Sequence, residues 1–169
     1  MRSREFAVWA HAGQKYGEEP YVAHLDEVAS TVAGYLPDGD DDDFQDVAYL
    51  HDVVEDTPVT TSFVEEKFGV TVATAVEFLT DPEAPNRKER KRKLHERLSR
   101  LDATRRPYRL ALAVKASDRL ANVKRCVEED NGRLLQMYVK EHPDFRAAVH
   151  RDGLCDDLWA ELDGLVARR

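Results

Sequence analysis

The sequence predicts an all-α fold. Apolar residues recur at helical spacing along most of the 169-residue chain, whereas alternating segments rich in β-branched residues are scarce. Hydrophobic residues make up 42% of the chain, which is enough apolar material for one buried core at this length. We therefore expect residues 1–169 to form one helical domain.

Three helices are predicted in the first part of the chain. The first covers residues 4–12, and the second fills the interval between Pro20 and Pro37. Residues 38–43 form an acidic turn whose last aspartates can cap the next helix, because a carboxylate complements the positive end of the helix dipole. The third helix carries apolar residues over positions 44–54 and ends before the next proline.

The rest of the chain continues the helical pattern. Thr60 and Thr61 can cap a short helix that ends at Gly69, and residues 72–79 form the next helix. The remaining predicted elements are a strongly basic helix over residues 87–101, a long apolar helix over about residues 110–126, a helix from residue 134 that breaks at Pro143, and a final helix around residues 158–165.

Charge and composition exclude several classes of protein. The formal net charge of −8 disfavours nonspecific nucleic-acid binding, whose affinity comes from neutralising phosphates. The chain has no run of about 18 apolar residues, and its first residues lack the pattern of a signal peptide. Its two cysteines, Cys126 and Cys155, suit a reducing compartment. We expect a cytoplasmic protein without nucleic-acid or membrane partners; the sequence does not specify its oligomeric state.

The densest group of polar residues lies in the string LHDVVEDT. His51, Asp52, Glu55 and Asp56 lie on adjacent stripes of the third predicted helix, because residues four apart share a helix face. Three carboxylates near a helix C-terminus are unfavourable for the helix dipole, which favours a chemical role for them. The alternative is a solvated helix end that happens to contain a histidine.

Two further residues enlarge this group. His24 lies on the second helix and Asp118 on the long apolar helix, both among apolar neighbours. Taken singly, each has an ordinary explanation, as a hydrogen-bonded core histidine or as an ion-pair partner of Arg119. Together with His51 and Asp52, they supply two imidazoles and two carboxylates from three helices. Such a set can bind a divalent metal and leave positions for water and substrate.

The order of these motifs resembles the HD-domain metal-dependent phosphohydrolases, and more narrowly the hydrolase domain of the RelA/SpoT alarmone enzymes. The resemblance rests on the strings HAGQKYGEEPYVAHLDEVA, LHDVVEDT, FGVTVATAVEFLT and KASDRLANV, and it covers about residues 5–126. It implies a helical bundle with the metal site at its centre, followed by C-terminal helices over about residues 132–168. In extent, the chain is similar to a small stand-alone alarmone hydrolase of the metazoan SpoT-like kind.

The resemblance also implies roles for individual residues. Glu55 and Asp56 would orient or deprotonate the attacking water, with Glu55 as the general base and Asp56 as its partner. The cofactor would be a single Mn²⁺, with another divalent ion such as Zn²⁺ as the alternative. The residues implied as its ligands are His24, His51, Asp52 and Asp118.

Members of this family remove the 3′-pyrophosphate from guanosine tetra- or pentaphosphate, which yields pyrophosphate and GDP or GTP. By position, the resemblance implies substrate contacts for Lys15, Tyr16 and Asn122. This sequence departs from the family where Tyr16 replaces a basic residue and where Arg125 replaces a threonine common in the long enzymes. Two alternatives therefore stay open: hydrolysis of another nucleotide, such as an adenine alarmone or NADPH, and a non-catalytic nucleotide-binding antidote to an alarmone synthetase.

A basic segment offers a further contact for an anionic substrate. Residues 87–100 contain eight Lys or Arg against two Glu, a local net charge of +6, so the rest of the chain carries −14. A solvated face with ion pairs one turn apart is the ordinary explanation. If the helix borders the metal site, Arg87, Lys88 and Lys91 are expected to attract the substrate and neutralise the leaving pyrophosphate.

Overall fold

The all-α prediction is confirmed by the computed structural model, which describes residues 2–39 and 41–167. Met1, Asp40, Arg168 and Arg169 lie outside the described residues, so the predicted acidic turn and the predicted C-terminal boundary are described only in part. The helices are α1 (Ser3–Ala10), α2 (Val22–Tyr35), α3 (Asp42–Leu50), α4 (Val53–Asp56), α5 (Thr61–Leu79), α6 (Arg87–Ser99), α7 (Arg106–Glu128), α8 (Gly132–Val149) and α9 (Asp156–Ala167), and a hairpin is formed by β1 (Lys15–Tyr16) and β2 (Glu19–Pro20).

Helix α7 forms the centre of the bundle. It packs against α2, α3, α5, α8 and α9. Its middle is buried almost continuously from Leu110 to Val123, and the surrounding helices add Phe44, Val76 and Leu158 to the same core. A polar side chain in the middle of α7 therefore has to meet a polar partner or a ligand. Both cysteines are buried and unpaired. None of the described helices combines the length and apolarity needed to cross a bilayer.

Several helix ends follow the local signals in the sequence. Asp41 caps α3 by accepting a 3.0 Å hydrogen bond from the main-chain nitrogen of Asp43, as expected for the acidic turn. Thr60 caps α5 in the same way through the nitrogen of Phe63, at 3.2 Å. Gly69 has a φ of +87° and divides α5 into two helical halves at the predicted position.

The third predicted helix is not continuous, which corrects the sequence prediction. Helix α3 ends at Leu50, and one further turn, α4, begins after His51 and Asp52. The backbone of Asp52 has φ −102° and ψ −2°, a sparsely populated conformation common at active sites. The break therefore lies at the two residues of the His–Asp motif.

The predicted break at Pro143 is wrong, because α8 continues through it. A proline in a helix interior removes one main-chain hydrogen bond. Side chains near this point contact α9. His142 and Arg146 contact the carboxylate of Asp163, at 2.8 Å and 3.0 Å, on either side of the proline.

The β1–β2 hairpin was not predicted. Each strand has only two residues, which is too short for an alternating pattern to be recognised. Gly17 provides the turn with a φ of +62°. The guanidinium of Arg125 lies against this turn and donates a 3.2 Å hydrogen bond to the main-chain oxygen of Tyr16, which fixes the hairpin to α7.

The central position of α7 gives a stability prediction. Leu120 is fully buried, so Leu120→Ala removes apolar contacts and leaves a cavity. We expect a loss of about 2–5 kcal/mol in the free energy of unfolding, measured by urea denaturation. Val127→Ala, at a 39% exposed position near the end of the same helix, is the matched control and should cost no more than about 0.5 kcal/mol. Equal losses for the two variants would contradict the placement of α7 in the core.

Candidate metal centre

Helices α2, α3 and α7 bring two histidines and an aspartate together. His24 lies on α2, His51 at the C-terminal end of α3, and Asp118 on α7. One ligand atom from each of the three lies within 4.8 Å of the other two. Nε2 of His24 is 3.3 Å from Oδ1 of Asp118, and Nε2 of His51 is 3.9 Å from the same oxygen. Both histidines are buried, so these side chains converge inside the bundle.

The orientation of the His51 ring fits a metal ligand. Its Nδ1 lies 2.8 Å from the carbonyl oxygen of Ala48, which keeps the proton on Nδ1 and leaves a lone pair on Nε2 when the ring is neutral. Nε2 is buried and makes no well-aligned hydrogen bond among the described residues, although Oδ2 of Asp52 lies 3.1 Å away. A neutral imidazole in this position can offer its Nε2 lone pair to a cation. Two imidazole nitrogens with carboxylate oxygen suit a borderline divalent cation.

Asp52 lies beside the three converging ligand atoms. Its Oδ2 is 3.1 Å from Nε2 of His51 and accepts a 2.5 Å hydrogen bond from the hydroxyl of Tyr21. Burial opposes ionisation of Asp52, but His51 holds the pKa of this carboxyl well below its usual range. Burial alone would lower the pKa of His51, whereas Asp52 and Asp118 raise it to about 9. Asp52 is therefore an ionised carboxylate at the edge of the site.

The HAGQ segment after α1 supports the site from one side. The His11 ring stacks on Tyr21 with ring centroids 4.6 Å apart, and its Nδ1 lies 2.7 Å from Oε1 of Gln14. Nε2 of Gln14 donates a 2.8 Å hydrogen bond to the main-chain oxygen of Asp56. The segment thus holds both the tyrosine that binds Asp52 and the short helix that carries Asp56.

The two oxygens of Asp118 have different partners. Oδ1 faces the imidazoles and accepts a 2.6 Å hydrogen bond from Nδ2 of Asn122. Oδ2 forms a 3.5 Å salt bridge with Nζ of Lys115, three residues earlier on α7. Burial opposes ionisation of Asp118, but Lys115 and the two histidines hold its pKa well below the usual range. Lys115 was missed by the sequence prediction: its spacing of three residues from Asp118 allows a contact on the helix but does not by itself identify one.

Glu55 and Asp56 lie on α4, one turn after the His51–Asp52 pair. Oε2 of Glu55 accepts a 3.0 Å hydrogen bond from the main-chain nitrogen of Asp81. Both carboxyl groups border the site and remain accessible from solvent, and desolvation by the adjoining protein raises the pKa of each. A carboxyl group with a raised pKa exchanges protons more effectively near neutral pH.

Two of the predicted substrate residues on different elements meet at the metal centre. The hydroxyl of Tyr16 donates a 2.6 Å hydrogen bond to Oδ1 of Asn122, and its ring centroid is 4.6 Å from that of His24. The guanidinium of Arg125 also lies over the Tyr16 ring, with its Cζ 4.3 Å from the ring centroid. The two departures from the family pattern, Tyr16 and Arg125, are therefore in direct contact. Lys15 is exposed on the hairpin next to them.

The basic helix α6 borders a cleft whose lining includes none of the proposed metal ligands. Lys91 connects it to the site, because Nζ lies 2.8 Å from Oδ2 of Asp81, whose main-chain nitrogen binds Glu55. Nε of Arg87 lies 2.9 Å from the carboxylate of Glu141 on α8. The three residues predicted to attract substrate line a cleft of about 810 Å³ between α6 and α8: Arg87, Lys88 and Lys91.

A family model agrees with this arrangement of helices and ligands. Residues 3–142 match the model described as HD domain. The chain therefore belongs to the HD-domain family, whose members carry a divalent metal site of this kind. A solved structure described as a metazoan ortholog of SpoT that hydrolyses ppGpp has a TM-score of 0.80 and 25% sequence identity; the match covers 99% of this chain and 93% of that one. The predicted HD-type helical bundle is confirmed by this match.

Within this family, the chain is similar in sequence to proteins that share one enzyme name. The chain is 32% identical over 127 residues to the guanosine-3′,5′-bis(diphosphate) 3′-pyrophosphohydrolase MESH1 of Drosophila melanogaster, which covers 73% of this chain and 67% of that protein. It is 37% identical over 125 residues to the guanosine-3′,5′-bis(diphosphate) 3′-pyrophosphohydrolase of Aquifex aeolicus. That match covers 73% of this chain and only 17% of the Aquifex protein, so the chain spans a small part of the length of the long enzymes.

Proposed function

We propose that this chain is a metal-dependent hydrolase that removes the 3′-pyrophosphate from guanosine tetra- and pentaphosphate. The observation that carries the proposal is the convergence of His24, His51 and Asp118 within 4.8 Å, beside the carboxylates of Glu55 and Asp56. The names of the relatives from Drosophila and Aquifex support the substrate class. An intact pair of carboxylates on α4 favours catalysis over a purely binding role.

The ligand set fits a single divalent cation, for which we propose Mn²⁺. His24, His51 and Asp118 would hold it, and Asp52 would complete the set from the edge of the site. When bound, the cation would acidify a water molecule and polarise a phosphoryl oxygen. Tyr21 and Ala48 orient Asp52 and His51 by hydrogen bonds, so the ligands are arranged before a cation arrives.

Glu55 is the proposed general base. One of its oxygens is held by the main-chain nitrogen of Asp81, which orients the carboxylate while leaving the second oxygen for a water molecule. Desolvation raises its pKa, which increases its basicity when it is ionised. Asp56, also with a raised pKa, is its partner and receives support from Gln14 through the main chain.

The remaining proposed residues bind the nucleotide. Tyr16 and Asn122 lie at the metal centre, where they are hydrogen-bonded to each other and Arg125 lies over the tyrosine ring. A bound nucleotide would replace these contacts with a stacking contact to the ring and a hydrogen bond to the amide. Lys15 on the hairpin supplies a positive charge near the entrance. Along α6, the proposed phosphate contacts are Arg87, Lys88 and Lys91.

The test is hydrolysis of a panel of nucleotides by the purified protein with Mn²⁺. We expect guanosine tetraphosphate to yield GDP and pyrophosphate. The panel also contains an adenine alarmone and NADPH. They are included because Tyr16 and Arg125 both depart from the family pattern, and Tyr16 lies in the segment that contacts the base in the family. The proposed substrate would be overturned if no guanosine compound were hydrolysed, or if NADPH were the one compound hydrolysed, with release of orthophosphate.

Metal binding should be coupled to proton release from His51. Its neighbours raise its pKa to about 9 in the metal-free protein, so the ring must lose a proton to bind a cation at neutral pH. The apparent affinity for Mn²⁺ should therefore rise with pH up to about 9, by about tenfold per unit for one linked proton. Calorimetry in two buffers with different ionisation enthalpies should show about one proton released per ion. Binding without proton release would contradict this assignment.

A further inference from the structure

Helix α7 places a buried cation against one of the proposed metal ligands. Lys115 is only 8% exposed, and its Nζ lies 3.5 Å from Oδ2 of Asp118. The other oxygen of Asp118 faces Nε2 of His24, at 3.3 Å. Burying an ammonium group is costly unless negative groups surround it. The lysine thus occupies the side of the carboxylate that points away from the converging ligand atoms.

The surroundings of Lys115 are strongly acidic. Asp52, Glu55 and Asp81 all act electrostatically on Lys115, in addition to Asp118. Asp81 has a second cation, since Lys91 lies 2.8 Å from its carboxylate. Carboxylates proposed as metal ligands and the glutamate proposed as general base therefore all act on this one buried ammonium group, and Asp118 is in direct contact with it.

We propose that Lys115 is the resident counter-charge of the metal centre. It is a positioning residue, because it acts through Asp118 and contacts neither substrate nor the reacting atoms. In the metal-free protein it offsets part of the negative charge of the ligands. In the metal-loaded protein it adds one positive charge to the centre, which favours a polyanionic nucleotide. This inference rests on the metal site of the proposed function. It adds that one residue weakens binding of the cation and strengthens binding of the anionic substrate.

The charge of Lys115 should affect metal binding and substrate binding in opposite directions. An ammonium group beside the ligands repels a divalent cation and attracts phosphate, and both forces are strong where water is largely excluded. Replacing Lys115 with an uncharged residue should therefore strengthen metal binding and weaken substrate binding. A lysine with only a structural role would not produce this pair of changes.

The test compares Lys115→Met, which keeps the length of the side chain, with Lys115→Arg, which keeps the charge. Lys124→Met is the matched control, because Lys124 lies on the same helix and pairs with Glu161 at 2.8 Å, away from the ligands. The thermal midpoint of each protein is measured with and without saturating Mn²⁺, and Mn²⁺ affinity is measured by calorimetry. Lys115→Gln is prepared with the others, so that failure of the methionine variant to fold still leaves an uncharged variant.

For the uncharged variants, we expect a lower midpoint than wild type without metal and a larger rise on addition of Mn²⁺. Their Mn²⁺ affinity should increase by about tenfold, whereas the arginine variant and the Lys124 control should match wild type. A rise with Mn²⁺ that is equal to or smaller than that of wild type would overturn the inference. These measurements need no turnover, so they decide the role of Lys115 even if the proposed hydrolysis fails.

The substrate side of the inference is measured by steady-state kinetics with guanosine tetraphosphate. Lys115→Met should raise KM by about tenfold with a smaller change in kcat, because the lost charge acts on binding of the anion. Lys115→Arg should restore KM. An unchanged KM in the methionine variant would contradict the proposed effect on substrate. Absence of hydrolysis in wild type would count against the proposed function alone.

Discussion

His51→Ala is expected to abolish stoichiometric Mn²⁺ binding and nucleotide hydrolysis together. The ring is buried, its Nδ1 is occupied by the carbonyl of Ala48, and its Nε2 faces Asp52 and Asp118. Mutation of a group that only holds a metal ligand in place already costs about 10–100-fold in metal affinity. Loss of the ligand nitrogen itself should therefore cost more than about 100-fold, measured by calorimetry and by the metal content of the dialysed protein.

The control for this prediction is His150→Ala at the end of α8. That ring lies near the surface beside Asp152, far along the chain from the motif, and its removal should leave one Mn²⁺ per chain. Asp118→Ala gives a second test, because it removes the oxygen that faces both imidazoles. Circular dichroism verifies that each variant is folded. A folded His51→Ala or Asp118→Ala protein that still binds one Mn²⁺ per chain would refute the proposed ligand set.

Most of the helical framework could be predicted from the sequence because each helix buries one face. Helix α7 is apolar on nearly all sides, as its central position requires, and caps such as Asp41 and Thr60 follow from local hydrogen bonding. The break at His51 and Asp52 could not be predicted, since the apolar pattern continues through it. Continuity at Pro143 could not be predicted either, since the residues on both sides of the proline contact Asp163, which lies on another helix.

In the candidate site, too, the residues with a motif could be predicted from the sequence and the contacts between distant residues could not. His24, His51 and Asp118 carry a recognisable motif order, and the structure brings them together. Lys115 has no motif of its own, because a lysine within an apolar helix ordinarily extends to the surface. Its role becomes visible only when the direction of its side chain is known. The contact between Tyr16 and Arg125 likewise joins residues that are far apart in sequence, so two separate departures prove to be one structural unit.

Glu55→Gln should lower kcat by about 10²–10⁴-fold while Mn²⁺ binding is retained. The amide keeps an oxygen that can accept the hydrogen bond from the nitrogen of Asp81, so the side chain should stay in place. What it loses is the ability to take a proton from water. In wild type, the raised pKa of Glu55 predicts that activity falls as pH drops through that pKa, because the protonated carboxyl is no longer a base.

The comparison with Asp56→Asn assigns the two carboxylates. If Glu55 is the base, its variant should show the larger loss in kcat, and Asp56→Asn a smaller one, since Asp56 acts as its partner. Glu65→Gln, on the solvent-exposed side of α5, is the control and should have wild-type kcat. Unchanged hydrolysis in Glu55→Gln would exclude Glu55 as general base. A larger loss in Asp56→Asn would transfer that role to Asp56, whose position depends on Gln14 and the HAGQ segment rather than on Asp81.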